Sequence, residues 1–191
     1  MSALAEYVDN PLLGEEWDPL VSCFELLLDV ALRERPLSLQ THTHRHGLRP
    51  SSSPYVQFKS NGTGGLVVEV SGNLLVKPEL DDMDVAQLEF FGWQPPETSA
   101  EDYRNGDGGN PNFWRDFDGV ELKAIAAWIV TTLVVVYRLE TRDFFGIEVP
   151  YVVTRLAEAH LLDRLSPTQS NPFGYIFCMP GQHADMTQPS S

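Results

Sequence analysis

The chain has 191 residues, 42% of them hydrophobic and 10% aromatic, so one ordinary domain can bury about two-thirds of its unfolded surface. Its formal charge of −14 repels phosphate backbones and anionic lipid, which disfavours nucleic-acid and membrane-surface binding and favours basic or amphipathic polypeptide partners. The cysteines, Cys23 and Cys178, do not suggest a disulfide framework.

The first segment, up to Glu16, carries no basic stretch leading into an apolar core and so does not read as a secretory signal. A helix is predicted from Trp17-Asp18-Pro19, with Asp18 as cap and Pro19 in the first turn. Leu20, Phe24, Leu27, Leu28 and Ala31 then form one apolar stripe that ends before Pro36. Leu37 to Ser53 reads as a linker carrying His42, His44 and His46.

Strands are predicted at Tyr55–Lys59, Leu66–Val70 and Leu74–Lys77, separated by turns at Asn61–Gly65 and Ser71–Asn73. Together they describe an antiparallel meander whose apolar face needs a helix to cover it. Asp81 and Asp82 suit the cap of a second helix over Leu80–Phe91, which Gly92 stops. Pro95–Asn112 reads as a long polar loop, and no strand is predicted between Gln94 and Asp118.

A third helix over Gly119–Leu139 is apolar nearly all round and is the expected centre of the core. Its greasy run, Ala124–Tyr137, reaches only about 21 Å as a helix, too short to cross a bilayer, so a cytoplasmic protein without membrane insertion is expected. A last helix is predicted over Pro150–Leu165. Beyond Ser166 the chain reads as a polar tail with an apolar island, Phe173–Met179. The domain expectation is one unit over residues 1–165 followed by the tail, 166–191. Phe173, Tyr175, Ile176 and Phe177 either cover a core edge or sit in the domain's own groove.

Chemistry-bearing patterns are sparse. On an extended strand His42, His44 and His46 would fall on one side, which suits a zinc or nickel ion. No carboxylate or cysteine stands near them in sequence, and a solvated loop is the simpler reading. Asp102, Asn105, Asp107 and Asn110 offer oxygens but lack the spacing of a calcium loop. The glycines make no phosphate-binding fingerprint, and a nucleophile elbow is missing. No catalytic, metal or cofactor site is expected. Trp93, Phe113 and Trp114 flank the long loop and read either as core plugs or as anchors for an incoming apolar side chain.

Several of these residues occur together in a known family. Tyr55-Val56-Gln57-Phe58, Gly65 to Asn73, Leu88-Glu89-Phe90-Phe91-Gly92-Trp93 with Pro95, and Pro111-Asn112-Phe113 resemble the actinobacterial TY-Chap family, related to type III secretion chaperones and YbjN proteins. Ala126–Val136 is similar to that family's long helix. The resemblance covers about residues 15–165 and implies a helix-flanked antiparallel sheet that binds peptide segments of partner proteins, often as a homodimer.

The combined expectation is an α+β fold in which an antiparallel meander packs against the N-terminal helix and the long later helix, as in type III secretion chaperones. The expected function is non-enzymatic, chaperone-like binding of a polypeptide segment, linked to secretion or regulation. An exposed strand edge or a sheet–helix groove would accept the segment. Leu66, Val68, Trp93, Phe113 and Trp114 would contact it, and Asp81, Asp82, Glu97 and Glu101 would steer basic partners. The alternatives are a structural or regulatory dimerisation protein without a client, and a metal-dependent enzyme built on His42, His44 and His46.

Overall fold

The computed structural model describes residues 13–33, 36–42, 54–74, 76, 78–106, 108–119, 121–140, 144–147, 166–171 and 174–178. A short 3-10 turn, Glu15–Trp17, leads into helix α1, Asp18–Arg33. The stripe read from the sequence is the buried one: Leu20, Phe24, Leu27, Leu28 and Ala31 all lie inside. Pro19 occupies the first turn, where its missing N–H costs no helical hydrogen bond.

Strand β1, Leu37–His42, follows at once, in what the sequence presents as the start of a linker. Leu37 and Leu39 are buried while Ser38 between them is exposed, a period-2 pattern too short to stand out against the histidines and threonines that follow. Strands β2, Tyr55–Ser60, and β3, Leu66–Val70, form as expected. The expected third strand does not. Leu74 lies in a turn and the buried Val76 in irregular chain, while residues 75 and 77 lie outside the described residues.

The place beside β3 is taken instead by β4, Phe113–Phe117, drawn from the region in which no strand is expected. All pairings in the seven-stranded sheet, ordered β4-β3-β2-β1-β5-β7-β6, are antiparallel. Strand β5 is Phe144–Ile147, β6 is Ser166–Asn171 and β7 is Gly174–Cys178. The apolar island near the C-terminus thus lies largely in β7, paired with β5. The expected helix over Pro150–Leu165 lies outside the described residues.

Register sorts the side chains of β1–β4 by face. Leu39, Val56, Val70 and Phe113 form one row across the sheet, and Leu37, Phe58, Val68 and Arg115 the next. These rows face α1 and helix α4, Leu122–Val135. Phe24 of α1 meets Phe58 edge-on, with centroids 5.9 Å apart. Every residue of α4 from Ala124 to Leu133 is buried, as its all-round apolar character predicts. The result is the expected α+β arrangement, an antiparallel sheet covered by helices.

Helix α2, Asp82–Phe90, closes the end of the core next to β4. Asp81 caps it through a reciprocal capping box with Asp84. It ends in a Schellman turn: the Gly92 N–H donates to the Glu89 carbonyl and the Trp93 N–H to that of Leu88. Gly92 takes φ 84°, the left-handed conformation that glycine tolerates best. A short helix α3, Ala100–Asn105, interrupts the loop, with Ser99 as its cap.

Candidate functional site

Of the side chains expected to touch a ligand, Leu66, Val68, Trp93 and Phe113 lie within the core cluster, each 3% exposed or less. Trp93 stacks on Trp128 of α4 at 4.1 Å and 24°, and its indole N–H donates to the Thr132 hydroxyl. Phe117 meets Trp128 edge-on, and the Arg115 guanidinium lies over both of those rings. The Phe91 carbonyl accepts from both the Arg115 guanidinium and the Trp128 indole. The Phe91-Gly92-Trp93 signature is therefore a joint that fastens α2 and β4 to α4. Carbonyl, left-handed turn and ring each have an internal partner, and only opening the core would free them.

Trp114 differs. It is half-buried on the opposite face of β4, and its buried indole Nε1 has no hydrogen-bond partner among the described residues. A buried donor left without any acceptor costs about 1–3 kcal/mol.

Beside Trp114 runs a polar network. The Tyr55 hydroxyl donates to Asn112, whose side-chain amide donates to Glu69, and Glu69 pairs with Lys59 at 2.9 Å. Asn112 and Glu69 are nearly fully buried, so each needs these partners. Burial raises the Tyr55 hydroxyl above the ordinary tyrosine range, and its bond to Asn112 offsets part of that rise. The network fixes β2, β3 and the Pro111-Asn112-Phe113 turn to one another.

The outer edge of β4 is partly used. Trp114 exchanges both of its backbone hydrogen bonds with Gln94, an isolated bridge. Alternation along the strand turns the N–H and C=O of Asp116 to the same side, and among the described residues nothing pairs with them there. This stretch is an open sheet edge next to the unsatisfied indole.

Two other surface features stand out. Met83 and Phe90 of α2 are 80% and 82% exposed, more than any other large apolar side chain among the described residues. A shallow depression of about 340 Å³ lies between α1 and the start of α4, lined by Ser22, Glu25, Leu26, Asp29 and Leu122. Neither feature is foreseen from the sequence. Met83 and Phe90 lie seven residues apart on α2, and that spacing was the available signal.

His42 ends β1, and His44 and His46 lie outside the described residues. Asp102 sits in α3, where the hydroxyl of the cap Ser99 bonds its carboxylate. Among the described residues no group of histidine, cysteine, aspartate and glutamate is placed to hold a metal ion, and no helix is long and apolar enough to cross a membrane.

Residues 12–150 match the family model TY-Chap3, described as T3SS (YopN, CesT) and YbjN peptide-binding chaperone 3. The chain belongs to this family. The match covers most of the chain, including α1, β1–β5 and all the helices described above. No curated protein and no solved structure matches the chain. As a TY-Chap3 member, the protein carries a peptide-binding chaperone domain, and that family is not one of enzymes.

Proposed function

We propose that this TY-Chap3 domain binds an extended segment of a partner polypeptide at the β4 edge and performs no catalysis. The observation that carries the reading is the Asp116 backbone on the outer edge of β4, whose N–H and C=O have no partner there among the described residues. A client strand laid along β4 gains main-chain hydrogen bonds from Asp116, each worth about 0.5–1.5 kcal/mol net. Gln94 already occupies part of that position and marks the line the client strand would follow.

Of the ligand contacts expected from sequence, Trp114 keeps its role here, and the buried Leu66, Val68, Trp93 and Phe113 support the strand from behind. Asp81, Asp82, Glu97 and Glu101 are exposed and add a negative field that speeds the approach of basic clients at low salt. A role in secretion or regulation would follow from the identity of the client.

An array of overlapping peptides from the source proteome tests the proposal. Asp116→Pro removes the outward N–H, and proline is tolerated on an edge strand. The bound peptides are expected to lose about tenfold in affinity for this variant, as the loss of about 1.4 kcal/mol requires. Unchanged affinity in a folded Asp116→Pro protein would refute the edge mode.

A further inference from the structure

We infer that the outer face of α2 is a second docking surface, built for a basic amphipathic helix. Met83, Ala86 and Phe90 are exposed and fall at i, i+3 and i+7, so they form one apolar stripe along the helix. Phe90 alone leaves open about four-fifths of the roughly 200 Å² that such a side chain can bury. Isolated exposed apolar residues are ordinary, but a bulky pair aligned on one short helix is a patch.

The charge beside the stripe says what covers it. Asp82 and Glu89 are exposed and share a row along one flank, about 10 Å apart at the rise of an α-helix. The other flank carries the neutral Gln87, and α2 contains no lysine or arginine. A second copy of the chain would bring its own acidic row to the contact with no cation on α2 to meet it. A partner helix with an apolar face and lysine or arginine along one flank satisfies both features.

The helix is also held rigid, which lowers the cost of binding. Its first turn is fixed by the Asp81–Asp84 capping box and by Asp84 paired with Arg138 at 3.0 Å, and its end by the Schellman turn at Gly92. This surface is distinct from the β4 edge, and neither site requires the other.

Fluorescence anisotropy with a labelled synthetic helix of leucine and lysine tests the inference, with a leucine and glutamate helix of the same pattern as control. The lysine peptide is expected to bind and the glutamate peptide to bind at least about tenfold more weakly. Met83→Ser with Phe90→Ser, which keeps every charge, is expected to weaken the lysine peptide by about tenfold or more, as is Asp82→Asn with Glu89→Gln. Trp114→Phe is expected to leave it unchanged, which separates this surface from the β4 edge. Equal binding to the Met83→Ser, Phe90→Ser protein would reduce the effect to general attraction by an acidic chain and overturn the inference. No binding of the lysine peptide would do the same, as would a dimer in light scattering that those serine substitutions dissociate.

Discussion

Replacing Trp93 by alanine distinguishes a core residue from a ligand contact. Trp93 is 2% exposed and stacked on Trp128. Truncating a buried tryptophan costs about 3–5 kcal/mol, a figure that includes the 0.5–1.5 kcal/mol typical of an aromatic pair. The lost indole N–H adds little, because the Thr132 hydroxyl still donates to the Trp128 carbonyl. A loss of about 4 kcal/mol follows, a large share of the stability of an ordinary domain. For a chain of this size that lowers the melting temperature by about 8–16 °C. Trp93→Phe, which keeps a ring in the stack, should cost about 1–2 kcal/mol. Urea unfolding followed by circular dichroism measures both. A Trp93→Ala protein within about 1 kcal/mol of wild type that nonetheless lost peptide binding would contradict the placement of Trp93 as a structural joint.

Gly92→Ala should destabilise by about 1–3 kcal/mol in the same assay, since its φ is 84° and a Cβ there would stand 2.6 Å from the Arg115 guanidinium. A neutral effect would mean that the turn relaxes freely. Burial holds the Tyr137 hydroxyl, which donates to the Ser71 carbonyl, well above the ordinary tyrosine range. Its contribution is therefore complete below the unfolded value near pH 10 and is lost as pH rises beyond it, so Tyr137→Phe should be less stable at neutral pH yet fall less steeply in alkali. Parallel pH profiles for the two proteins would refute this. Burial likewise drives the Cys23 thiol far above its usual range, so in a Cys178→Ser background it should resist thiol reagents at pH 8 until the protein unfolds.

The elements legible in the sequence are those whose burial pattern runs long enough to be read. The α1 stripe, the alternation in β2 and β3, the Asp81 cap, the Gly92 stop and the apolar α4 all have a local signature. Strand β4 was hidden because its inward row is Phe113, Arg115 and Phe117, and a charged residue in the middle breaks the apolar alternation. Arg115 is accommodated there by the Phe91 carbonyl and two aromatic rings, contacts made from distant parts of the chain. The Leu74–Lys77 run is a short apolar stretch that reads as a strand but lies after the turn that ends β3, and β4 takes its place in the sheet. Four of the expected ligand contacts, Leu66, Val68, Trp93 and Phe113, are buried for a related reason. The aromatic residues around the long loop were conspicuous, but conspicuous apolar residues in a recurring motif are usually those that hold the fold together. The accessible features, the Asp116 backbone and the Met83–Phe90 stripe, carry weak local signals.

Amide hydrogen exchange with and without a peptide selected from the array tests the central claim most directly, that clients bind the outside of a closed domain at β4. Protection is expected at Asp116 and its neighbours on β4, with the amides of α4 unchanged. Protection confined to residues away from β4, or exchange in α4 that speeds up as the core opens to admit the peptide, would contradict it.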